Sequence, residues 1–135
     1  MANWLFKSEP DCYGYADLER DGVTLWDGVT NALARKRLRA VQPGDRILYY
    51  HTGDEKAVVG VAAGGPVPDP GAEDGKGVAV EVKPVKRLKQ PVTLARIKAD
   101  EALADWELVR LPRLSVVPVS PEQWKRLEAL SAGGT

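Results

Sequence analysis

The sequence predicts one α+β domain, built on a curved sheet of five to six strands or an open barrel and flanked by helices. Its 135 residues fit a single domain spanning residues 1–135 and leave little room for two. Short runs that are apolar, or that alternate between apolar and polar residues, recur along the chain and are typical of strands. Between these runs lie segments in which apolar residues recur at helical spacing, which indicates helices inserted between strands.

The first forty residues predict one strand and two helices. Asn3–Lys7 (NWLFK) is a mostly apolar run that predicts a buried first strand. Tyr15–Arg20 predicts a short helix, which Asp21-Gly22 would end. Asn31–Ala40 predicts a second helix, because apolar residues recur there at the spacing of one buried stripe.

The middle of the chain predicts three strands. Arg46–His51 follows a Pro-Gly-Asp turn, Ala57–Ala63 is mostly apolar, and Val78–Val82 alternates as a half-buried strand does. Gly64–Gly77 is rich in glycine and proline, so we expect a long surface loop between two of these strands. Pro84 has no amide proton to donate and therefore predicts a bulge or an edge position.

The last third of the chain predicts a short helix, a strand and a final helix. Thr93–Ala99 is the short helix, and Leu114–Val119 is the strand. The final helix has the clearest start signal: Ser120 is a good N-cap, Pro121 suits the first turn, and Gln123 completes a capping box. Tryptophans within strand or helix patterns are expected in the core: Trp4, Trp106 and Trp124.

The composition excludes several classes of function. Cys12 is the only cysteine, so neither a disulfide within the chain nor a thiolate metal cluster can form. His51 is the only histidine, which leaves no plausible zinc ligand set. No apolar run approaches the ~20 residues that cross a bilayer, and the N-terminus lacks the pattern of a secretory signal. We therefore expect a cytoplasmic protein with no cofactor, no metal and no membrane partner.

Basic residues are clustered although the net charge is zero. Lys83–Lys98 contains six basic residues and no acidic one, and a second cluster comprises Arg35, Lys36, Arg37 and Arg39. Segregated charge permits a basic face that contacts phosphates. The alternative is that both clusters are ordinary solvated surface.

One tryptophan and several polar residues suggest a site for a flat heterocycle. Trp26 directly precedes Asp-Gly, so its indole is expected near a loop, where a base could stack on it. Ser8 and Glu9, at the end of the first strand, and Asn31 could bond to the edge of a base. The alternative is that Trp26 is a core tryptophan. In the binding interpretation, Trp26→Ala abolishes binding and spares folding.

Two other functions remain open. An enzyme acting on RNA or DNA would need a general base, for which Glu9 or His51 is the only attractive choice. A nucleophilic pair of Cys12 and His51 would need hydrogen-bond contact, which the sequence cannot establish. A structural or protein-interaction domain would instead expose an apolar groove.

Six segments, in order and covering nearly the whole chain, resemble the motifs of EVE domains, which belong to the PUA-like superfamily. They are WLFKSEPD (4–11), WDGVTNALARKRLR (26–39), GDRILYYH (44–51), VVGVA (58–62), KQPVTLARIK (89–98) and LVRLPRLSVVPVSPEQW (108–124). The chain departs from the family in the Gly/Pro-rich segment Gly64–Gly77 and at Thr52, where members often have a serine or another small polar residue.

The resemblance implies a PUA-like fold, distant kinship with YTH domains, and a module that binds a modified nucleotide in DNA or RNA, such as a modified cytosine. The base pocket would be lined by Lys7, Ser8, Glu9, Trp26, Asn31, Arg113, Leu114 and Ser115. Phosphates would be held by Arg35, Arg39, Lys86 and Arg87. YTH domains also use a second aromatic wall, which the sequence does not identify here.

Overall fold

A computed structural model describes residues 3–9, 13–26, 36–37, 40–53, 55–64, 80–101, 103–110 and 114–132. Within these ranges the strands are β1 (Asn3–Ser8), β2 (Thr24–Trp26), β3 (Arg46–His51), β4 (Ala57–Gly64), β5 (Val80–Thr93) and β6 (Val116–Val119). The helices with defined bounds are α1 (Tyr15–Asp21), α2 (Leu94–Ala99), α3 (Glu107–Arg110) and α4 (Pro121–Ser131).

The strands form one six-stranded mixed sheet in the order β2-β5-β4-β3-β1-β6. β1 and β3 run parallel, and the other neighbouring strands are antiparallel. The α+β class, with five to six strands and helices between them, is therefore confirmed. Lys36, Arg37 and Ala40 are helical, while the rest of the predicted helix Asn31–Ala40 lies outside the described residues. Residues 65–77 of the predicted loop also lie outside them.

Local signals in the sequence predicted the helix ends well. The amide of Gln123 donates to Ser120 Oγ at 3.1 Å, and the amide of Ser120 donates to Gln123 Oε1 at 2.8 Å. This reciprocal pair is the predicted capping box, which satisfies two amides that a helix start would otherwise leave unpaired. Gly22 ends α1 in the left-handed conformation, with φ of 78°, and its amide donates to the carbonyl of Leu18.

β5 has 14 residues and extends well past the predicted strand Val78–Val82. Its middle part is mostly exposed and basic, so it lacks the alternation that identifies a half-buried strand. The register between β4 and β5 shifts between Val61 and Ala62, whose partners are Lys86 and Pro84. The predicted bulge at Pro84 is therefore confirmed.

The sheet has two distinct faces, because side chains alternate along each strand. Phe6 pairs with Tyr49 and Ser8 with His51 across the parallel β1–β3 pair, and we call the face that carries these four side chains the aromatic face. The opposite face, the helical face, carries Arg46, whose guanidinium lies 4.1 Å from the ring centroid of Trp124 on α4. The tryptophans expected in the core are confirmed as buried, with exposed fractions of 8% (Trp4), 2% (Trp106) and 2% (Trp124).

Tyr15 packs directly on the backbone of Gly60, and this contact attaches α1 to the aromatic face. A Cβ atom at position 60 would lie 2.5 Å from Tyr15 Cε1, too close for any real contact. The phenol hydroxyl of Tyr15 lies within hydrogen-bond distance of two carbonyls, 2.7 Å from Val61 O and 2.9 Å from Lys86 O. Gly60 is therefore required by the close approach of the tyrosine ring.

We expect Gly60→Ala to lower the free energy of unfolding by about 1–3 kcal/mol, because the added methyl overpacks the site and displaces Tyr15. Urea denaturation of the wild type, Gly60→Ala, Tyr15→Ala and the double variant would measure this. The double variant should lose less unfolding free energy than the two single variants lose in total, since the clash is absent without the ring. Additive effects, or a stability of Gly60→Ala equal to that of the wild type, would contradict the contact.

Candidate functional site

Trp26 belongs to an aromatic cluster near the carboxyl end of β1. It is the last residue of β2 and pairs with Val80 of β5. Its ring lies 5.2 Å from the ring of Phe6 and 5.5 Å from that of Tyr49, edge-on to Tyr49 at 87°. Only 9% of the residue is exposed. Trp26 thus offers a small accessible area, held in place by two neighbouring rings, and its role as a pocket wall stays a prediction.

Tyr49 connects the cluster to α1 and is the aromatic residue that sequence reasoning missed. Its ring lies edge-on to Tyr15 at 5.4 Å and close to His51 at 5.8 Å. The available signal was strand alternation: in RILYYH, Tyr49 falls on the same face as His51, while Tyr50 points to the opposite face. Tyr49 and Phe6 are the aromatic side chains that flank Trp26 within the described residues.

Ser8 joins this cluster through a shared carbonyl. Its hydroxyl donates to the carbonyl of Tyr13 at 2.7 Å, and the hydroxyl of Tyr49 donates to the same carbonyl at 2.8 Å. The carbonyl of Ser8 in turn accepts from the amide of Thr52 at 2.9 Å. Ser8 is half-buried. The predicted site residue Ser8 therefore lies beside the aromatic cluster, at the end of β1.

Glu9 and Lys7 flank Ser8 in different ways. Glu9 is exposed, and its carbonyl accepts from the amide of Tyr13 at 2.8 Å. Lys7 points to the helical face, where its ammonium lies 5.8 Å from the centroid of Tyr50. Burial lowers the pKa of Lys7, because the charged ammonium is less well solvated there. The sheet thus separates the side chain of Lys7 from that of Ser8.

The C-terminal candidates approach β1 mainly through their backbone. The amide of Lys7 donates to the carbonyl of Ser115 at 3.0 Å, which brings Ser115 beside the strand. Leu114 is 5% exposed and is part of the core. Asn31 and Arg113 lie outside the described residues.

Lys86 and Arg87 line a groove between β5 and the end of α4. The groove has a volume of about 450 Å³ and is lined by Lys86, Arg87, Leu88, Lys89, Glu128, Ser131 and Ala132. Arg87 also pairs with Glu19 at 2.7 Å and lies 5.4 Å from the ring centroid of Tyr15. Arg87 therefore connects the groove to the residues around the aromatic cluster.

The second basic cluster contains at least one arginine with a structural role. Arg37 Nη1 lies 2.7 Å from Glu107 Oε2 and donates to the carbonyl of Val116 at 3.1 Å. These contacts attach the helical residues 36–37 to α3 and β6. Arg35 and Arg39, the two predicted phosphate contacts of this cluster, lie outside the described residues.

Both ring nitrogens of His51 make hydrogen bonds. Nε2 accepts from the amide of Tyr15 at 3.0 Å, so the ring proton of the neutral imidazole is on Nδ1, 2.7 Å from Glu55 Oε1. A general base needs a free lone pair on the nitrogen that takes the proton. The geometry of His51 therefore supports an anchor for the start of α1 and weakens the case for a base. Cys12, its hypothetical partner, lies outside the described residues.

Among the residues that the structure describes, His, Cys, Asp and Glu do not come together in any group of three or more that could hold a metal ion. In the same part of the chain, every helix is too short or too polar to cross a membrane.

The family model described as the EVE domain matches residues 2–130. The chain belongs to the EVE domain family. Human thymocyte nuclear protein 1 is 28% identical over 159 aligned positions, which cover 91% of this EVE domain chain and 71% of the human protein. The PUA-like fold and the family that the six motifs indicated are thus confirmed.

Solved structures agree with this assignment. A solution structure of a protein from Rhodopseudomonas palustris has a TM-score of 0.89 and 42% identity, covering 98% of this chain and 94% of that one. A crystal structure of human THYN1 protein in complex with DNA containing 5-methylcytosine has a TM-score of 0.86 and 25% identity, covering 97% of this chain and 98% of that one.

The buried phenol of Tyr49 gives a prediction about pH. Burial raises its pKa from 10.0 to about 12, so the folded state keeps a proton that the unfolded state loses near its ordinary pKa. As the pH rises from about 10 to about 12, the unfolded state binds fewer protons than the folded state, and stability falls. Urea denaturation across this pH range should show that the free energy of unfolding falls more steeply for the wild type than for Tyr49→Phe. Equal losses in the two proteins would contradict the assignment.

Proposed function

We propose that this EVE domain is a nucleic-acid-binding module that holds one modified base of DNA or RNA in an aromatic pocket bounded by Trp26. The observation that carries the proposal is the aromatic cluster of Phe6, Trp26 and Tyr49, next to the half-buried hydroxyl of Ser8. A flat ring beside a polar group can stack on a base and bond to its edge. The complex of a human relative with DNA containing 5-methylcytosine supports the same ligand class.

The pocket combines groups that suit a heterocycle taken out of its stack. Trp26 is fixed between two rings and supplies an aromatic surface. Ser8 and Glu9 would contact the base edge, and Asn31 and Ser115 would complete the polar part of the pocket. Leu114 and Arg113 would close the far side, while the side chain of Lys7 points to the opposite face of the sheet and would not contact the base.

Basic residues would hold the backbone of the strand that carries the base. Lys86 and Arg87 line the groove beside α4, and Arg87 reaches the ring of Tyr15. Phosphate contacts position a nucleic acid without reading its sequence. Arg35 and Arg39 would contribute a second set of such contacts.

Trp26 cannot be replaced by alanine without cost, which revises the expectation that this change would spare folding. Truncating a buried tryptophan to alanine lowers stability by about 3–5 kcal/mol. Trp26→Leu keeps an apolar side chain while removing the ring. We expect it to weaken binding of an oligonucleotide with one 5-methylcytosine by about 5- to 150-fold, since stacking is worth about 1–3 kcal/mol per base.

Fluorescence anisotropy, below the melting temperature of each variant, would measure this loss. Trp106→Leu is the matched control, because Trp106 is equally a buried tryptophan, with its indole NH bonded to Pro118 O, but lies away from the cluster. Wild-type affinity in folded Trp26→Leu would rule out the indole as a pocket wall, and the same loss in Trp106→Leu would show a general effect of stability.

Arg87→Gln tests the proposed contacts with the phosphate backbone of the nucleic acid. The logarithm of the binding constant should fall linearly with the logarithm of salt concentration, and each lost phosphate contact lowers the slope by about 0.7–0.9. We expect this decrease for Arg87→Gln and for Lys86→Gln, and an unchanged slope for Lys125→Gln, which removes an exposed charge from α4. If both groove variants keep the wild-type salt dependence, the phosphates of the nucleic acid do not bind in this groove.

A further inference from the structure

Arg87 is the basic residue of the groove whose charged group is held in one place. Nε of Arg87 donates to Glu19 Oε1 at 2.9 Å, and Nη2 lies 2.7 Å from the same oxygen. The guanidinium also lies over the ring of Tyr15, 5.4 Å from its centroid. Lys86 and Lys89 line the groove too, but among the described residues neither ammonium pairs with an acidic side chain. One carboxylate and one ring thus determine where the guanidinium lies.

The helix that supplies both of these groups is itself attached to the sheet. Arg87 pairs with Gly60 in the β4–β5 register, and the ring of Tyr15 packs on the backbone of that glycine. The hydroxyl of Tyr15 lies within hydrogen-bond distance of two carbonyls of the sheet. Glu19 follows Tyr15 by four residues in α1, so both side chains lie on the same side of the helix. The support of Arg87 is therefore part of the fold and does not depend on a ligand.

A guanidinium has two edges that can bind an oxyanion, and Glu19 occupies one of them. The N–H groups form a planar fork, in which the side edge uses Nε and Nη2 and the end edge uses Nη1 and Nη2. Both contacts with Glu19 are on the side edge. Within the described part of the chain, Nη1 has no hydrogen-bond acceptor, and the side chain of Arg87 is 51% exposed. The end edge can therefore bind a phosphate while the side edge stays on Glu19.

We propose that Glu19 is a positioning residue, which presents the end edge of Arg87 to a phosphate of the bound nucleic acid. This rests on the proposed function, because it takes Arg87 to be a phosphate contact. Ordering one long side chain at an interface weakens binding by about 2- to 12-fold. Because Glu19 and Tyr15 order Arg87 before the ligand binds, that loss is avoided.

Glu19→Asp separates the contact from the charge. The shorter side chain keeps a negative charge near the groove, but it reaches Arg87 only if the guanidinium leaves the ring of Tyr15. We expect the oligonucleotide with one 5-methylcytosine to bind this variant about 2- to 12-fold more weakly, as measured by fluorescence anisotropy at one salt concentration. Glu122→Asp is the matched control and should bind as the wild type does, because Glu122 is an exposed acid at the start of α4 and the groove lies at the end of that helix.

The same substitution in an Arg87→Gln background shows whether the effect passes through the arginine. There, Glu19→Asp should leave the affinity unchanged. An equal loss in both backgrounds overturns this inference, and so does an unchanged affinity of Glu19→Asp alone. A higher affinity of Glu19→Asp also overturns it, because Glu19 would then compete with the phosphate for Arg87. If Arg87→Gln itself keeps the wild-type affinity and salt dependence, the phosphate contact of the proposed function fails, and this inference with it.

The Nε–H group of Arg87 reports on the contact directly. A hydrogen-bonded N–H exchanges its proton with water more slowly than a free one. In ¹⁵N NMR spectra we expect slow exchange of this proton in the free wild type and in its complex with the oligonucleotide, and fast exchange in Glu19→Asp. Fast exchange in the wild-type complex would show that the phosphate displaces Glu19, which contradicts a positioning role.

Discussion

The parallel pairing of β1 with β3 fixes the candidate site, because it sets which side chains share the aromatic face. In the observed register Phe6 is beside Tyr49 and Ser8 is beside His51. A slip of β1 by one residue would turn Lys7 to that face in place of Phe6 and Ser8 and bury a charge among rings. The β1–β3 pair is flanked by β4 and β6, so its register is held from both sides. The arrangement of Phe6, Tyr49 and Ser8 thus depends on the central strands, and Trp26 contacts this group from the edge strand β2.

The start of α1 is the second constraint, because its backbone groups bond to side chains of the sheet. The carbonyl of Tyr13 accepts from Ser8 and Tyr49, and the amide of Tyr15 donates to His51. These bonds satisfy polar groups that would otherwise be costly to bury. His51 and Tyr49 of β3 thereby hold α1 on the sheet, and the ring of Tyr15 completes the attachment at Gly60. His51, which the sequence offered as a candidate base, thus serves here to position a helix.

The sequence could predict features that depend on neighbouring residues. The capping box of Ser120 and Gln123 and the bulge near Pro84 follow from chemistry within a few residues. The EVE motifs likewise identified the family and its fold before any coordinates. These predictions succeeded because the deciding interaction is local or because the motif is characteristic of the family.

Features decided by distant partners could not be predicted in this way. β2 has three residues and exists because it pairs with β5, and the middle of β5 is an exposed, basic strand without alternation. Arg37 looked like part of a basic surface cluster, yet it pairs with Glu107, seventy positions later in the chain. The face assignment of Lys7 also required the strand to be located, since adjacent residues point in opposite directions. Position in the sheet, and not residue type, separates Lys7 from Ser8.

The burial of Trp26 gives the proposed site a specific physical character. An indole held edge-on by Tyr49 and in contact with Phe6 cannot turn aside, so a base that stacks on it pays little for ordering the protein. The same packing makes Trp26 part of the core, which means that stability and binding share one side chain. Ser8 is held in a comparable way, because its hydroxyl bonds to the carbonyl of Tyr13. A ring and a hydroxyl that are both held in place before binding would favour a flat heterocycle in the proposed site, since little ordering of the protein is needed.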